Sequence, residues 1–149
     1  MGIEYREIDE SLFQKVIIKY GGHLRQEIIV RDDTFTLIPM DGNEPIGFVN
    51  VTPRILAYPL EHHKDAYIET LWIDEEYRRL GIGEQLIIYS EEWAKKKGLM
   101  QIRTHSNNKA IAAINIWHKR NYGLCQHGYH RGDDPKTDDG RGYWVAKVL

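Results

Sequence analysis

Residues 66–87, AYIETLWIDEEYRRLGIGEQLI, constrain what this chain can fold into more than any other stretch. The first eight are rich in aromatic and β-branched residues and suit a strand. A helix is predicted over 83–97, with Leu86, Ile87, Ser90, Trp93 and Ala94 on one face, Lys95, Lys96 and Lys97 near its C-terminal end, and Gly98 as its stop. Between strand and helix stand the acidic turn DEEY and then RRLGIG. A helix N-terminus leaves unpaired amides and roughly half a positive charge, which favours an anion. Gly81 and Gly83 let a ligand approach the backbone closely, and Arg78 or Arg79 adds a charged fork. The same glycines also suit a plain flexible turn, so the pattern alone leaves both readings open. Neither GxxxxGK[ST] nor GxGxxG occurs here, so the loop is not one of the familiar nucleotide cradles.

The flanking segments supply the rest of a sheet. A strand is predicted over 3–8, and a helix over 9–20 with Leu12, Val16, Ile17 and Tyr20 on one stripe and Asp9 as its cap. TFTLIPM, the turn DGNEP and IGFVNVTPRIL read as a hairpin. After Gly98, MQIRTHS reads as a strand and NNKAIAAINIWHKR as a helix with Ala110, Ala113, Ile114 and Trp117 inward. LCQHGYH and GYWVAKVL close the chain as a hairpin around the polar loop GDDPKTDDGRG. No repeat, low-complexity tract or linker interrupts this order, so residues 1–149 are expected to form one domain of the α/β class, a mixed sheet with helices on its faces.

Bulk charge excludes some partners. With 20 Lys+Arg against 22 Asp+Glu the formal charge is -2, so no global basic field exists to hold nucleic acid or an anionic membrane. Any anion site must be local. No run approaches the roughly 20 apolar residues of a membrane span, the N-terminal MGIEYREIDE lacks a signal-peptide core, and the single Cys125 excludes an internal disulfide or a CxxC site. A cytoplasmic location is the resulting expectation. His62 and His63 in EHHKD have no cysteine nearby and no third ligand at metal spacing, so they read as a solvated turn and no metal is expected.

Arg78-x-x-Gly81-x-Gly83 resembles the (Q/R)xxGx(G/A) pyrophosphate loop of the GCN5-related N-acetyltransferases (GNAT), and 66–87 resembles that family's central strand, loop and helix throughout. AAINIWHKRNYGL is similar to the family's second motif, A-x-x-LY-x-K-x-GF. The resemblance implies a GNAT-like acyl-CoA N-acyltransferase fold: a splayed, mostly antiparallel sheet of seven strands, flanked by helices and open after its fourth strand, with acetyl-CoA as co-substrate in the split. Pantetheine would then pair with the backbone of Leu71, Trp72 and Ile73, and the pyrophosphate would sit on amides of Arg79, Leu80, Gly81, Ile82, Gly83 and Glu84 beside Arg78. With 149 residues leaving little chain for a second substrate domain, the acceptor is expected to be a small amine, and polyamines, aminoglycosides, amino acids and a peptide N-terminus all stay open; dimers are common among such proteins, so a homodimer is an open expectation.

Acyl transfer to an amine needs a neutral nucleophile and stabilisation of the developing oxyanion. An alkyl amine with a pKa of about 10.4 must lose a proton on or before attack, which directs attention to a carboxylate in the central strand. Glu69 is that carboxylate, and it resembles the acid of many small-amine acetyltransferases; a cross-strand ion pair or a solvated edge is its alternative use. The family's usual proton donor to the departing thiolate is a tyrosine, and that position holds Trp117, whose indole cannot serve and whose ordinary use is core packing. Tyr122 is then the candidate acid, and His105, ending the strand before the second motif, a candidate proton relay or simply a hydrogen-bonded histidine. Asn121 stands where the family usually has glycine. Asn107 and Asn108 are expected to open the following helix, Asn108 as a cofactor contact or as a cap, while the family's asparagine position holds Ala110. Asp133, Asp134, Asp138 and Asp139 make the last loop acidic, either as a soluble hairpin tip or as a lure for a cationic substrate. A rival reading is a CoA-binding sensor with this fold and little turnover; a nucleotide-binding protein using the same helix terminus is more distant.

Overall fold

The computed structural model describes residues 2–21, 28, 30–128 and 141–149. Strand β1 (Ile3–Glu7) leads to helix α1 (Glu10–Tyr20), then to β2 (Phe35–Asp41), the two-residue β3 (Glu44–Pro45), β4 (Gly47–Ile55) and β5 (Lys64–Ile73). One 3-10 turn (Glu75–Tyr77) precedes α2 (Ile82–Lys96), followed by β6 (Gln101–Asn107), α3 (Ile111–Lys119), β7 (Gly123–Gly128) and β8 (Arg141–Val148). The sheet order is β1-β2-β4-β5-β6-β8-β7, with β3 pairing only β2. Seven strands therefore carry the sheet, and the two residues of β3 are an added fringe. The acidic loop residues Asp133, Asp134, Asp138 and Asp139 lie outside the described residues.

Every pairing is antiparallel except β5 with β6, which α2 connects as a crossover. That parallel register holds only at Ala66↔Ile102 and Tyr67↔Arg103. Beyond it the two strands part, and among the described residues the outer half of β5 keeps only β4 as strand partner, opening the sheet where acyl-CoA is expected. Thr104 spans the start of the split, its hydroxyl donating to the Ile68 carbonyl over 2.9 Å.

Sequence periodicity accounts for the two faces. On one, Phe35, Leu37, Val49, Val51, Ala66, Ile68, Ile102 and Val145 meet Ile82, Leu86, Ile87 and Ala94 of α2 and Trp117 of α3. Each large aliphatic side chain so buried contributes about 1.5–3 kcal/mol. On the other, Leu12, Val16 and Tyr20 of α1 pack on Ile38, Met40 and Phe48, with Trp72 against them. Asp9 caps α1 as expected, its Oδ1 accepting the Leu12 amide at 2.7 Å.

Alternation along β5 changes phase once. Val51 pairs Ile68 while Asn50 pairs Thr70, so Glu69 is the extra residue of a β-bulge. Without the bulge Leu71 would follow Tyr67 onto the α1 face; with it, Leu71 joins the α2 cluster and Trp72 joins the α1 cluster. The 3-residue step from Ile68 to Leu71, in a strand otherwise apolar every second residue, is the sequence trace of that bulge.

The second motif departs from expectation in one respect. Helix α3 begins at Ile111, not at the asparagines. Asn107 turns its side chain onto the Lys109 amide at 2.7 Å, closing a local turn that competes with helix, and Ala110 becomes the N-cap residue with no side-chain cap. Asn121 takes φ 64, the left-handed conformation for which asparagine is the best replacement of glycine, so its departure from the family pattern leaves the backbone unchanged.

Candidate active site

The cleft follows from these elements. About 900 Å³ in volume, it lies between the outer half of β5, the loop into α2, and the first turns of α3, with Leu71, Trp72 and Ile73 on one wall and Lys109 to Ala113 and Ile116 on the other. Its loop wall contains Arg78, Arg79, Gly81, Gly83 and Glu84. Arg79 adopts φ 65 and Gly81 φ 81, two left-handed residues that turn the chain back to start α2. Glycine meets that demand without strain, and a Cβ at Gly81 would find no protein atom within 4 Å. The space in front of it is open for a ligand.

No side chain caps α2, so the amides of its first turn have no intrahelical acceptor. The uncapped start of α3 faces the same cleft. Two helix N-termini thus direct positive partial charge into one space, and Arg78, Arg79 and Lys109 add full charges beside them. Arg78 is held for this: its Nε donates to the Ile73 carbonyl at 2.9 Å and its guanidinium sits 5.4 Å from the Trp72 ring. Glu84, which would oppose an anion, is paired outward with Lys119 at 2.9 Å. In a chain of net charge -2 this is a local concentration of positive charge. The apolar wall of Leu71, Ala112, Ala113 and Ile116 suits an alkyl arm. The residues present therefore fit a pyrophosphate with an attached pantetheine chain.

Eight of the eleven expected cofactor residues line this cleft: Leu71, Trp72, Ile73, Arg78, Arg79, Gly81, Gly83 and Glu84. Leu80 is 56% exposed beside it, and Ile82 turns its side chain into the core at 4% exposure, leaving only its backbone to the loop. Asn108 does not line the cleft; its Oδ1 is buried with no hydrogen-bond partner among the described residues. Tyr77 and the segment from Lys109 to Ala113, which leads into α3, also line the cleft and were not among the expected contacts. The available signal was the lack of a polar residue at the N-cap position, Ala110.

Glu69 lies on the face of the sheet that carries α1. Its Oε1 accepts from the Thr52 hydroxyl at 2.5 Å and Arg54 Nε at 2.9 Å, and its Oε2 from Arg54 Nη2 at 2.5 Å. The cross-strand ion pair is thus real, with Arg54 as partner. A carboxylate has about four acceptor sites, so one on Oε2 is left for an incoming amine or a water. His105 shares that face, its ring edge-on to Trp144 at 5.1 Å.

The structure does not bring Tyr122 to the cleft. It is 4% exposed, packs on Trp117 at 4.9 Å, and donates its hydroxyl to Glu91 Oε1 at 3.0 Å. Burial, reinforced by the Glu91 carboxylate, raises its pKa far above the usual tyrosine value. Glu91 also binds Arg120 at 2.7 Å and Lys147 at 3.2 Å, so Tyr122 belongs to a structural cluster behind α2 and α3. Trp117, also 4% exposed, is core as expected. His62 and His63 are exposed between β4 and β5. No candidate cluster of metal ligands occurs among the described residues, and none of their helices is long and apolar enough to cross a membrane.

No curated protein matches the chain. Solved structures share the fold. An acetyltransferase of the GNAT family from Streptococcus pneumoniae superposes with a TM-score of 0.77 at 15% identity, covering 99% of this chain and 100% of that one. Arabidopsis thaliana NAA60, solved in complex with acetyl-CoA, gives 0.77 at 18% identity with 99% of each chain covered. Arabidopsis thaliana Naa50, in complex with a bisubstrate analogue, CoA-Ac-MVNAL, gives 0.74 at 16% identity with 100% of each covered. The acetyltransferase (GNAT) family model matches residues 3–122, from the first strand through the second motif, and the chain belongs to that family.

Proposed function

We propose that this protein moves an acetyl group from acetyl-CoA to a primary amine, on a small molecule or a peptide N-terminus, by direct attack in a ternary complex. The observation that carries this reading is the convergence of two uncapped helix N-termini and three cations on a cleft beside the half of β5 from which β6 has parted. The first turn of α2 would hold the pyrophosphate, and the backbone of Leu71 to Ile73 would hold the pantetheine arm as an added strand edge.

The amine enters from the α1 face and docks on the remaining acceptor site of Glu69. Its nitrogen forms a bond to the thioester carbonyl carbon, the oxyanion is met by a backbone amide near Leu71, and the carbon–sulfur bond breaks. A docked ammonium gives one proton to Glu69 or its water before attack, and the nitrogen of the adduct loses a second by the same route, with His105 on the same face as a relay. With Tyr122 buried on Glu91, the sulfur departs as a thiolate. Its conjugate acid has a pKa near 8.5, so a tyrosine donor is not essential near neutrality. The missing tyrosine is also the observation that favours the sensor reading, in which CoA binds and little is turned over.

Calorimetric titration of acetyl-CoA into the protein tests the cleft without knowledge of the acceptor. Saturable binding is expected, and Gly81→Glu, which puts a strained, charged side chain where the ligand enters, should abolish it. Equal affinity in the variant would refute the loop assignment. Release of CoA with any amine then separates enzyme from sensor.

A further inference from the structure

Beyond α1, the acceptor face is built from two arginine–carboxylate pairs on either side of one aromatic ring. Arg54 binds Glu69 through Nε and Nη2, and Arg103 binds Asp65 Oδ2 through Nε at 2.5 Å, with Gln101 adding a 3.3 Å hydrogen bond. Both guanidinium groups lie against Tyr67, at 3.8 Å and 5.2 Å from its centroid, and Arg103 is also 5.2 Å from Trp144. The sheet register makes this a continuous patch. Arg54 opposes Asp65 across β4 and β5, and Tyr67 lies beside Arg103 across β5 and β6.

In both pairs the carboxylate is the more deeply buried partner. Side-chain exposure is 46% for Arg54 against 14% for Glu69, and 24% for Arg103 against 0% for Asp65. What faces the acceptor is therefore guanidinium and aromatic ring, with one acceptor site on Glu69 between them. Arg54 uses two of its three nitrogens and Arg103 one, so each fork retains free N–H donors for a planar anion. Among the described residues of this face, both carboxylates that a polyamine or aminoglycoside would use are already paired with an arginine.

Resting on the acetyltransferase reading above, we infer that the acceptor is an α-amino acid, whose adjacent ammonium and carboxylate complement the Glu69–Arg54 pair. The ammonium takes the remaining site on Glu69 Oε2, and the carboxylate takes the free end of the Arg54 fork. The Tyr67 and Trp144 rings offer a surface for an apolar side chain, with Arg103 at its rim. Asp65 and Glu69 act on the arginines as positioning residues, fixing the forks before the acceptor arrives and so lowering the ordering cost of binding.

The test is steady-state CoA release with matched acceptors: phenylalanine against phenethylamine, tryptophan against tryptamine, leucine against isoamylamine, with spermidine added. The carboxylated member of each pair should have a kcat/KM at least about tenfold higher, the scale of one charge-assisted hydrogen bond. Arg54→Lys retains charge and loses the fork, so it should shrink that ratio through KM rather than kcat. Arg103→Lys, which keeps a cation on buried Asp65, should do so to a lesser extent. Preference for spermidine or the decarboxylated amines, or turnover of no member while acetyl-CoA binds, overturns the amino-acid acceptor and leaves the cofactor cleft standing. Failure to bind acetyl-CoA overturns the acetyltransferase reading and this inference with it.

Discussion

At the scale of single residues, Glu69 is an ion-pair partner of Arg54 and, in the proposed function, the docking point of the amine. Thr52 and Arg54 occupy three of its acceptor sites and fix its rotamer; the fourth is the only one chemistry can use. Glu69→Gln replaces one oxygen with an NH2 group that cannot accept. Arg54 is 46% exposed, so losing its ionic partner costs stability under about 1 kcal/mol. Acetyl-CoA affinity should be unchanged, while kcat/KM for the acceptor falls by about 100-fold or more, the lower range for a proton-handling group. Titration calorimetry and thiol release measure the two separately, and unchanged turnover would remove Glu69 from the mechanism. The sequence displayed Glu69 plainly, as a carboxylate among apolar neighbours. It did not display Arg54, because that pairing depends on the β4–β5 register and its bulge, and a slip of one residue would send the side chains to opposite faces.

At the scale of elements, local signals were legible and long-range order was not. The Asp9 cap, the stripes of α1 and α2 and the Gly98 stop at φ 73 are each written within a few residues. The insertion of β8 between β6 and β7 is not, since it requires knowing which strand pairs β6 across an intervening helix and strand. Nor is the clamp that joins α1 to the loop between β5 and α2. Asp74, just past β5, accepts from Lys19 at 2.7 Å, Tyr20 at 3.0 Å and Trp72 at 3.2 Å, partners separated by up to 55 residues. Its side chain is 11% exposed, so truncating it breaks a largely buried network. Asp74→Ala should cost about 2 kcal/mol, a melting shift of about 4–8 °C for a chain of this size. Hydrogen exchange should accelerate most in α1. A uniform acceleration that included α2 and α3 would show that Asp74 supports the whole fold rather than the docking of one helix.

At the scale of the molecule, a sheet that opens between β5 and β6 needs other ties across its two faces. Each face has a buried tyrosine on a carboxylate: Tyr20 on Asp74 beneath α1, and Tyr122 on Glu91 behind α2 and α3. Burial, with the neighbouring carboxylate adding to it, raises both pKa values far above that of a free tyrosine. The sign of the linkage follows. Below about pH 10 the phenols are protonated whether the chain is folded or not, and their full contribution to stability is present. Above it the unfolded chain loses those protons and the folded chain keeps them, so stability falls as pH rises, by about 1.4 kcal/mol per pH unit for each tyrosine. Urea unfolding at pH 9, 10, 11 and 12 should therefore show a decline that steepens past pH 10. Tyr20→Phe and Tyr122→Phe should each start less stable, having lost a hydrogen bond, yet each should flatten the alkaline slope by about one proton's worth. A slope unchanged in both variants would place the alkaline weakness elsewhere. Flattening in one alone would show that only that face of the divided sheet is closed by a protonated phenol.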